Sequence, residues 1–289
     1  MGAALTSSLR RDGHIVSRMV RPGSQAAAGD VRWNPLSATV DVPAMEGFDA
    51  VVHLSGASIA GARWTSRRKQ VLRSSRVDST RVLVDALTHL KQPPRVFVCA
   101  SAIGFYGDRG DEVLTESSGH GKDFLSILCR AWEGEAARAA ASGIRTVIMR
   151  FGIVLSADGG ALPRMLTPFR FGAGGRLGSG KQWMSWIALE DVVRVLRAAI
   201  DDATWNGPVN LVAPEPVRNA EFTRVLASVL HRPAIFPAPA VALRLALGEM
   251  ADALLLSSQR VLPECLARYR YAFRYENLEA ALHAIVAKA

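Results

Sequence analysis

Lysine is scarce in this chain: the 35 basic residues include only Lys69, Lys91, Lys122, Lys181 and Lys288, so arginine carries most of the net charge of +9. Tyrosine is scarcer, at four residues. Four positions beyond Tyr106, Tyr269, Tyr271 and Tyr275 stand Gly110, Phe273, Tyr275 and Glu279, so no Tyr-x-x-x-Lys occurs. Cysteine is limited to Cys99, Cys129 and Cys265, far apart and without a CxxC pair, which argues against a zinc site or a disulfide framework. Long apolar runs are missing too: the best stretch, 234 to 256, is broken by Arg244, Glu249 and Asp252, too polar for a membrane span of about 18 residues. The N-terminus has no apolar signal core. These absences lead to the expectation of a soluble cytoplasmic protein with no membrane partner and no metal.

What is present points to an α/β fold. With 289 residues and 49% hydrophobic content, the chain can bury a large core. Apolar runs at 14–20, 50–54, 95–100, 145–151 and 208–212 read as strands, and their unbroken character suits strands covered on both faces of a parallel sheet. Helical patterns near 64–90, 123–141 and 189–202 lie between them. The expected fold is a doubly wound, mainly parallel Rossmann-type sheet with a small C-terminal substrate cap. The cofactor domain is expected at 1–155 and 189–213. A cap is expected at 156–188 and 214–289, where glycine and proline break the regular pattern.

A dinucleotide site normally opens with a strand, a glycine loop and a helix whose N-terminus holds the pyrophosphate. Here the first residues already read as a helix followed by the second strand, with Gly2 either the last loop glycine or simply the residue after the initiator. The expectation is that the natural coding sequence begins upstream. Just past the second strand, an acid would favour the ribose 2′-hydroxyl of NAD and an arginine the 2′-phosphate of NADP. The chain has Arg21, with Arg18 nearby and no acid before Asp30, so NADP(H) is the expected cofactor, although Arg21 also suits an ordinary surface position. The stretch "RWTSRRKQVLRSSR" at 63–76 holds six basic residues and no acid. Val71, Leu72 and Val77 make it an amphipathic helix, so nucleic acid is not the expected partner.

The ordered motifs "WNP" (33–35), "HLSGASI" (53–59), "SSRVDSTRVLV" (74–84), "SAIGFYGDRGDEVLTE" (101–116), "WE" (132–133), "MRFGIVL" (149–155), "GSGKQWMSWI" (178–187), "NLVAPEPVRNAEFT" (210–223) and "LEAAL" (278–282) span nearly the whole chain. By them the sequence resembles the extended short-chain dehydrogenase/reductase superfamily. Within it, the chain is similar to the epimerase family proteins, also described as nucleoside-diphosphate-sugar epimerase-like. The resemblance implies that Leu54, Ser55 and Gly56 pass the cofactor's ribose and pyrophosphate, that Cys99, Ala100 and Ser101 end a strand beside the nicotinamide ribose, and that Phe151, Gly152, Ile153 and Val154 touch the nicotinamide. It also implies a possible homodimer through long helices.

Enzymes of that superfamily pair a serine with Tyr-x-x-x-Lys, the lysine depressing the tyrosine pKa so that the phenol exchanges a proton near neutral pH. Here Phe124 or Leu125 takes the tyrosine's place and Leu128 or Cys129 the lysine's, while Arg76 stands where an asparagine is usual. Ser101 remains, and Tyr106 is the substitute acid/base to be examined, or else a wall of the substrate pocket. Lys181, Gln182 and Trp183 are expected either to line a cleft for a small polar substrate or to pin a loop, and Asp191 to cap the following helix. Two functions stay open: an NADP(H)-dependent oxidoreductase or epimerase with an unconventional proton route, and a non-catalytic NADP(H)-responsive binding protein.

Overall fold

In the computed structural model, which describes residues 1–288, apolar strands and amphipathic helices alternate along the chain. The first half runs α1 (Gly2–Arg11), β1 (Met19–Val20), β2 (Val31–Asn34), β3 (Thr39–Val40), β4 (Ala50–His53), α2 (Ser66–Arg73), α3 (Ser79–Thr88), β5 (Val96–Ala102), β6 (Val113–Leu114) and α4 (Phe124–Ala141). The second runs β7 (Arg145–Phe151), β8 (Ile153–Leu155), α5 (Leu162–Arg170), β9 (Trp183–Met184), β10 (Trp186–Ala188), α6 (Leu189–Asp201), β11 (Gly207–Leu211), β12 (Val217–Arg218), α7 (Asn219–Leu230), α8 (Ala240–Leu247), α9 (Glu249–Ala251), β13 (Arg260–Val261), α10 (Glu264–Arg268) and α11 (Leu278–Val286).

The main sheet has the order β11-β7-β5-β4, with β4 and β5 parallel from Ala50↔Val96 to His53↔Cys99. Strands β5 and β7 are buried along nearly their whole length, which is why their sequences are apolar without alternation. Three expectations need correction. Only the last two residues of the 14–20 run form a strand, β1, parallel to β2; residues 14–18 have no ladder partner among the described residues. The 64–90 helix is α2 and α3 joined by a π-helical turn, Ser74–Asp78. The 156–183 stretch contains a helix, α5, with Pro163 in its first turn, where the missing N–H is harmless.

The described chain divides into two compact units. The first comprises Met1–Ser101, Leu128–Met149 and Val193–Pro208; the second comprises Ala102–Ile127, Arg150–Val192 and the chain from Val209 onward. The second therefore takes in 102–127, 150–155, 189–192 and 209–213 as well as the segments expected to form a cap. In the second unit, Leu155, Leu162, Phe169, Trp186, Phe222 and Leu282 belong to one buried cluster. Segment 174–178 runs beside 236–238 through the Leu177↔Ala238 bridge, and Gly175 has no room for a side chain, since a Cβ would sit 1.9 Å from the Phe236 carbonyl oxygen.

Candidate functional site

In the first unit, Gly2 opens α1, and Arg21 follows β1 directly. Arg18 is committed elsewhere: its guanidinium and backbone N–H both bond Asp30, at 2.6 Å for the ion pair, and this holds the Asp30 carboxyl well below the usual carboxylate range. The Arg21 carbonyl accepts the Ser24 N–H at 3.1 Å, but its guanidinium has no hydrogen-bond or ion-pair partner among the described residues and lines a cavity of about 320 Å³ together with Ser24, Arg32, Trp33, Asn34 and Asp41. The order Arg18-Arg21 in sequence thus separates into one neutralised and one available cation. Leu54 is half-buried and Ser55 and Gly56 are exposed in the loop that follows β4, leaving backbone open to a ligand.

Cys99, Ala100 and Ser101 are all buried at the end of β5. Burial pushes the Cys99 thiol far up, which keeps its sulfur protonated and unreactive. The Ser101 hydroxyl donates to Glu133 Oε1 at 2.6 Å. Glu133 lies on α4, four residues past Cys129 and hence on the same helix face. That spacing was readable in the sequence, but the partner was not, because the serine is 32 residues away.

In the second unit, Tyr106 lies in the short 3₁₀ turn after β5 and is fully buried. Its hydroxyl donates to Asn210 Oδ1 at 2.7 Å and accepts from Arg150 Nη1 at 2.9 Å. Burial pushes its phenol up to about 12, against the opposing pull of Arg150. The expectation of Tyr106 as acid/base or pocket wall is therefore corrected: the group is enclosed, fully bonded and harder to ionise than a free phenol. Glu116 extends the network, accepting the Asn210 and Cys265 backbone N–H groups at 2.9 and 3.1 Å. Tyr106→Phe should cost about 1–2 kcal/mol by leaving Arg150 and Asn210 a partner short, read as a lower urea midpoint; an unchanged midpoint would remove the structural role assigned to the hydroxyl.

The substrate candidates of the second unit fare unequally. Gln182 is buried, and its amide donates to the carbonyls of Leu177 (3.1 Å) and Leu255 (2.9 Å), so it holds loops together. The Trp183 indole donates to Asp111 at 2.9 Å, and its ring lies under Arg218 (4.2 Å) and Arg260 (4.6 Å). These contacts use Trp183 to pin the loop. Only the Lys181 ammonium lacks a partner among the described residues. Phe151 is buried, while Gly152, Ile153 and Val154 are half-buried; Gly152 has no space for a side chain, with Val212 and the Ser185 carbonyl 2.6 and 2.7 Å from a Cβ. Asp191 lies inside the first turn of α6, and its carboxylate accepts the N–H groups of Arg274 and Tyr275.

Parallel β4 and β5, helices α2 to α4 between strands, and open small-residue loops after them define a Rossmann-like α/β protein. The comparisons agree. The model of the NAD dependent epimerase/dehydratase family matches residues 1–211, and this chain belongs to that family. Residues 238–285 match a domain of unknown function, DUF1731. The chain is 42% identical over 282 residues to the epimerase family protein ML0860 of Mycobacterium leprae, covering 98% of this chain and 91% of that one. It is 39% identical to the epimerase family protein YfhF of Bacillus subtilis, covering 99% and 95%. The crystal structure of human epimerase family protein SDR39U1 (isoform 2) with NADPH superposes with a TM-score of 0.92 at 32% identity, covering 100% of this chain and 96% of that one.

Proposed function

We propose that the first unit binds NADP(H) and that the protein is an NADP(H)-dependent oxidoreductase or epimerase acting on a small polar substrate without the usual tyrosine and lysine. The observation that supports the cofactor most directly is Arg21, an unpaired guanidinium on a cavity immediately after β1, while the neighbouring Arg18 is neutralised by Asp30. A 2′-phosphate supplies the charge and the acceptor oxygens that Arg21 lacks. NADPH bound to SDR39U1 in a structure of the same fold favours the same assignment. When bound, the cofactor supplies a hydride.

The chain's own contribution to proton handling is the Ser101–Glu133 pair. The carboxylate fixes the serine hydroxyl as its donor, which leaves the lone pairs of Oγ as acceptors and gives a proton on Oγ a place to go. Apolar Leu125 or Phe124, and Leu128 or Cys129, cannot do this.

Quenching or enhancement of NADPH fluorescence tests the cofactor, and NADPH oxidation against a panel of carbonyl compounds tests the chemistry. The wild type should bind NADPH about 10- to 100-fold more tightly than NADH, as one charge-assisted contact predicts, and Arg21→Ala should erase that preference. Glu133→Gln should keep binding and lose turnover. Equal affinity for the two cofactors would sink the NADP(H) assignment. Binding with no oxidation of any carbonyl would favour the non-catalytic NADP(H)-responsive reading, which the enclosure of Tyr106 and the apolar pair on α4 already support.

A further inference from the structure

A cavity of about 770 Å³ opens in the second unit against α7. Four basic side chains line it, Arg176, Arg224, His231 and Arg232, and among the described residues no aspartate or glutamate does. Arg176 comes from the segment that runs beside 236–238, where its carbonyl accepts the Ala238 N–H at 2.9 Å. Gly180 lets the Arg176 stem lie close to α7: a Cβ at Gly180, where φ is +72°, would sit 3.2 Å from Arg176 Cδ and 3.0 Å from Ala220 Cβ. Arg224 follows Ala220 by one helical turn and so shares its face of α7. Arg232 comes just after that helix, and its Nε donates to the Arg170 carbonyl at 3.3 Å.

The charge of this cavity is uncompensated. The guanidiniums of Arg176 and Arg224 have no hydrogen-bond or ion-pair partner among the described residues, and the Arg232 guanidinium has none beyond the Arg170 carbonyl. His231 ends α7 in the left-handed conformation at φ 52°, where glycine sits at the least steric cost, and it keeps an imidazole on the cavity wall. Three guanidiniums around one cavity repel one another, and water weakens that repulsion without reversing it. An anion placed among them does reverse it.

The structure assigns this cavity to an organic phosphate monoester with an aliphatic body. Such a group carries a charge of about −1.5 to −2 at pH 7 and three acceptor oxygens, enough to engage several guanidinium forks, where a carboxylate brings one charge and two oxygens. Thr223 and Ser228 add hydroxyl donors to the same lining. The volume lies within the roughly 300–1,000 Å³ of small-molecule sites and far exceeds a phosphate, which leaves room for the body. The rest of the lining includes Ala227, Pro233, Ala234, Ile235 and Pro237, and it offers no phenylalanine, tyrosine or tryptophan on which a nucleotide base would stack. Every one of these residues belongs to the second unit, so the assignment does not rest on the cofactor reading.

The test is calorimetric titration of the full chain with hexyl phosphate, inorganic phosphate and hexanol. Hexyl phosphate should bind about 10-fold or more tighter than inorganic phosphate, through the aliphatic part of the lining, and hexanol should give no saturable binding. Arg176→Gln and Arg224→Gln should each raise the hexyl phosphate Kd about 10-fold, with the thermal midpoint unchanged because both side chains are exposed. Arg21→Ala, in the first unit, should leave that Kd within about two-fold. Wild-type affinity in a variant carrying both Arg176→Gln and Arg224→Gln overturns the proposal, as does an absence of hexyl phosphate binding or equal affinity for hexanol. Binding lost in Arg21→Ala and kept in the double variant would place the phosphate in the first unit, and it overturns the proposal too. Hexyl phosphate binding that depends on Arg176 and Arg224, in a protein that fails to bind NADPH, sinks the cofactor reading and supports this site.

Discussion

Replacing Asp191 by alanine is expected to lower the stability of the second unit by about 3 kcal/mol, the largest loss from any single substitution considered for this chain. Asp191 is fully buried, and each carboxylate oxygen is occupied. Oδ1 accepts the Arg274 N–H at 2.8 Å and the Tyr271 hydroxyl at 3.0 Å, and Oδ2 accepts the Tyr275 N–H at 3.0 Å. The segment 271–275 has no helix or strand of its own, so this one carboxylate substitutes for a ladder. Alanine would leave partly buried N–H groups without acceptors, and a charge-assisted bond outweighs a neutral one roughly two-fold. Urea denaturation of the full chain should show a lower midpoint, and limited proteolysis should open near Arg270 and Arg274. Asp191→Asn, which retains one acceptor oxygen, should recover part of the loss. A midpoint unchanged in Asp191→Ala would show that the segment is held by its other contacts.

Much of the fold was legible because parallel-sheet burial leaves a plain mark. The runs at 50–54, 95–100, 145–151 and 208–212 are strands β4, β5, β7 and β11 within a residue or two, and 123–141 and 189–202 are helices α4 and α6. The 14–20 run failed as a full strand because apolar character alone does not supply a neighbour to pair with. The π-helical turn at Ser74–Asp78 was invisible, since an inserted residue shifts the helical phase without changing composition.

The site was legible in its types and not in its pairings. Ser101 and Arg21 were singled out from position, but Glu133 and Arg150 acquire meaning only from contacts across long stretches of chain. Tyr106 was weighed as a chemical group because a lone tyrosine near a strand end looks available. Asn210, 104 residues away, and Arg150, 44 away, turn it into part of the interior. Gln182 and Trp183 could be read equally as ligand contacts or as a loop pin, and the contacts with Leu177, Leu255, Asp111, Arg218 and Arg260 favour the pin. Polar side chains in a glycine-rich loop advertise binding in the sequence, and the need to satisfy them when buried decides otherwise.

Mild acid should destabilise the protein through His53. This side chain closes β4 and is fully buried, between Trp33, edge-on at 5.8 Å between centroids, and Phe97, stacked at 6.5 Å. Its Nε2 has no hydrogen-bond partner, and burial pushes its pKa down from 6.5 to about 4. The folded state therefore holds the neutral ring, whereas the unfolded chain takes up a proton near 6.5. Because the unfolded state binds more protons in this window, stability is intact above about pH 6.5 and falls as the pH drops toward 4. At 1.36 kcal/mol per pH unit, the loss between pH 7 and pH 5 is about 2 kcal/mol. His53→Phe removes the titration and the orphaned nitrogen while keeping a planar ring among aromatic neighbours. At neutral pH it should be as stable as the wild type or gain about 1 kcal/mol. Urea midpoints measured at pH 7, 6 and 5 for both proteins isolate the effect, since carboxylates that titrate lower are common to both. Parallel pH profiles would mean that the ring is reached by water or finds a partner, and the buried neutral histidine would have to be given up.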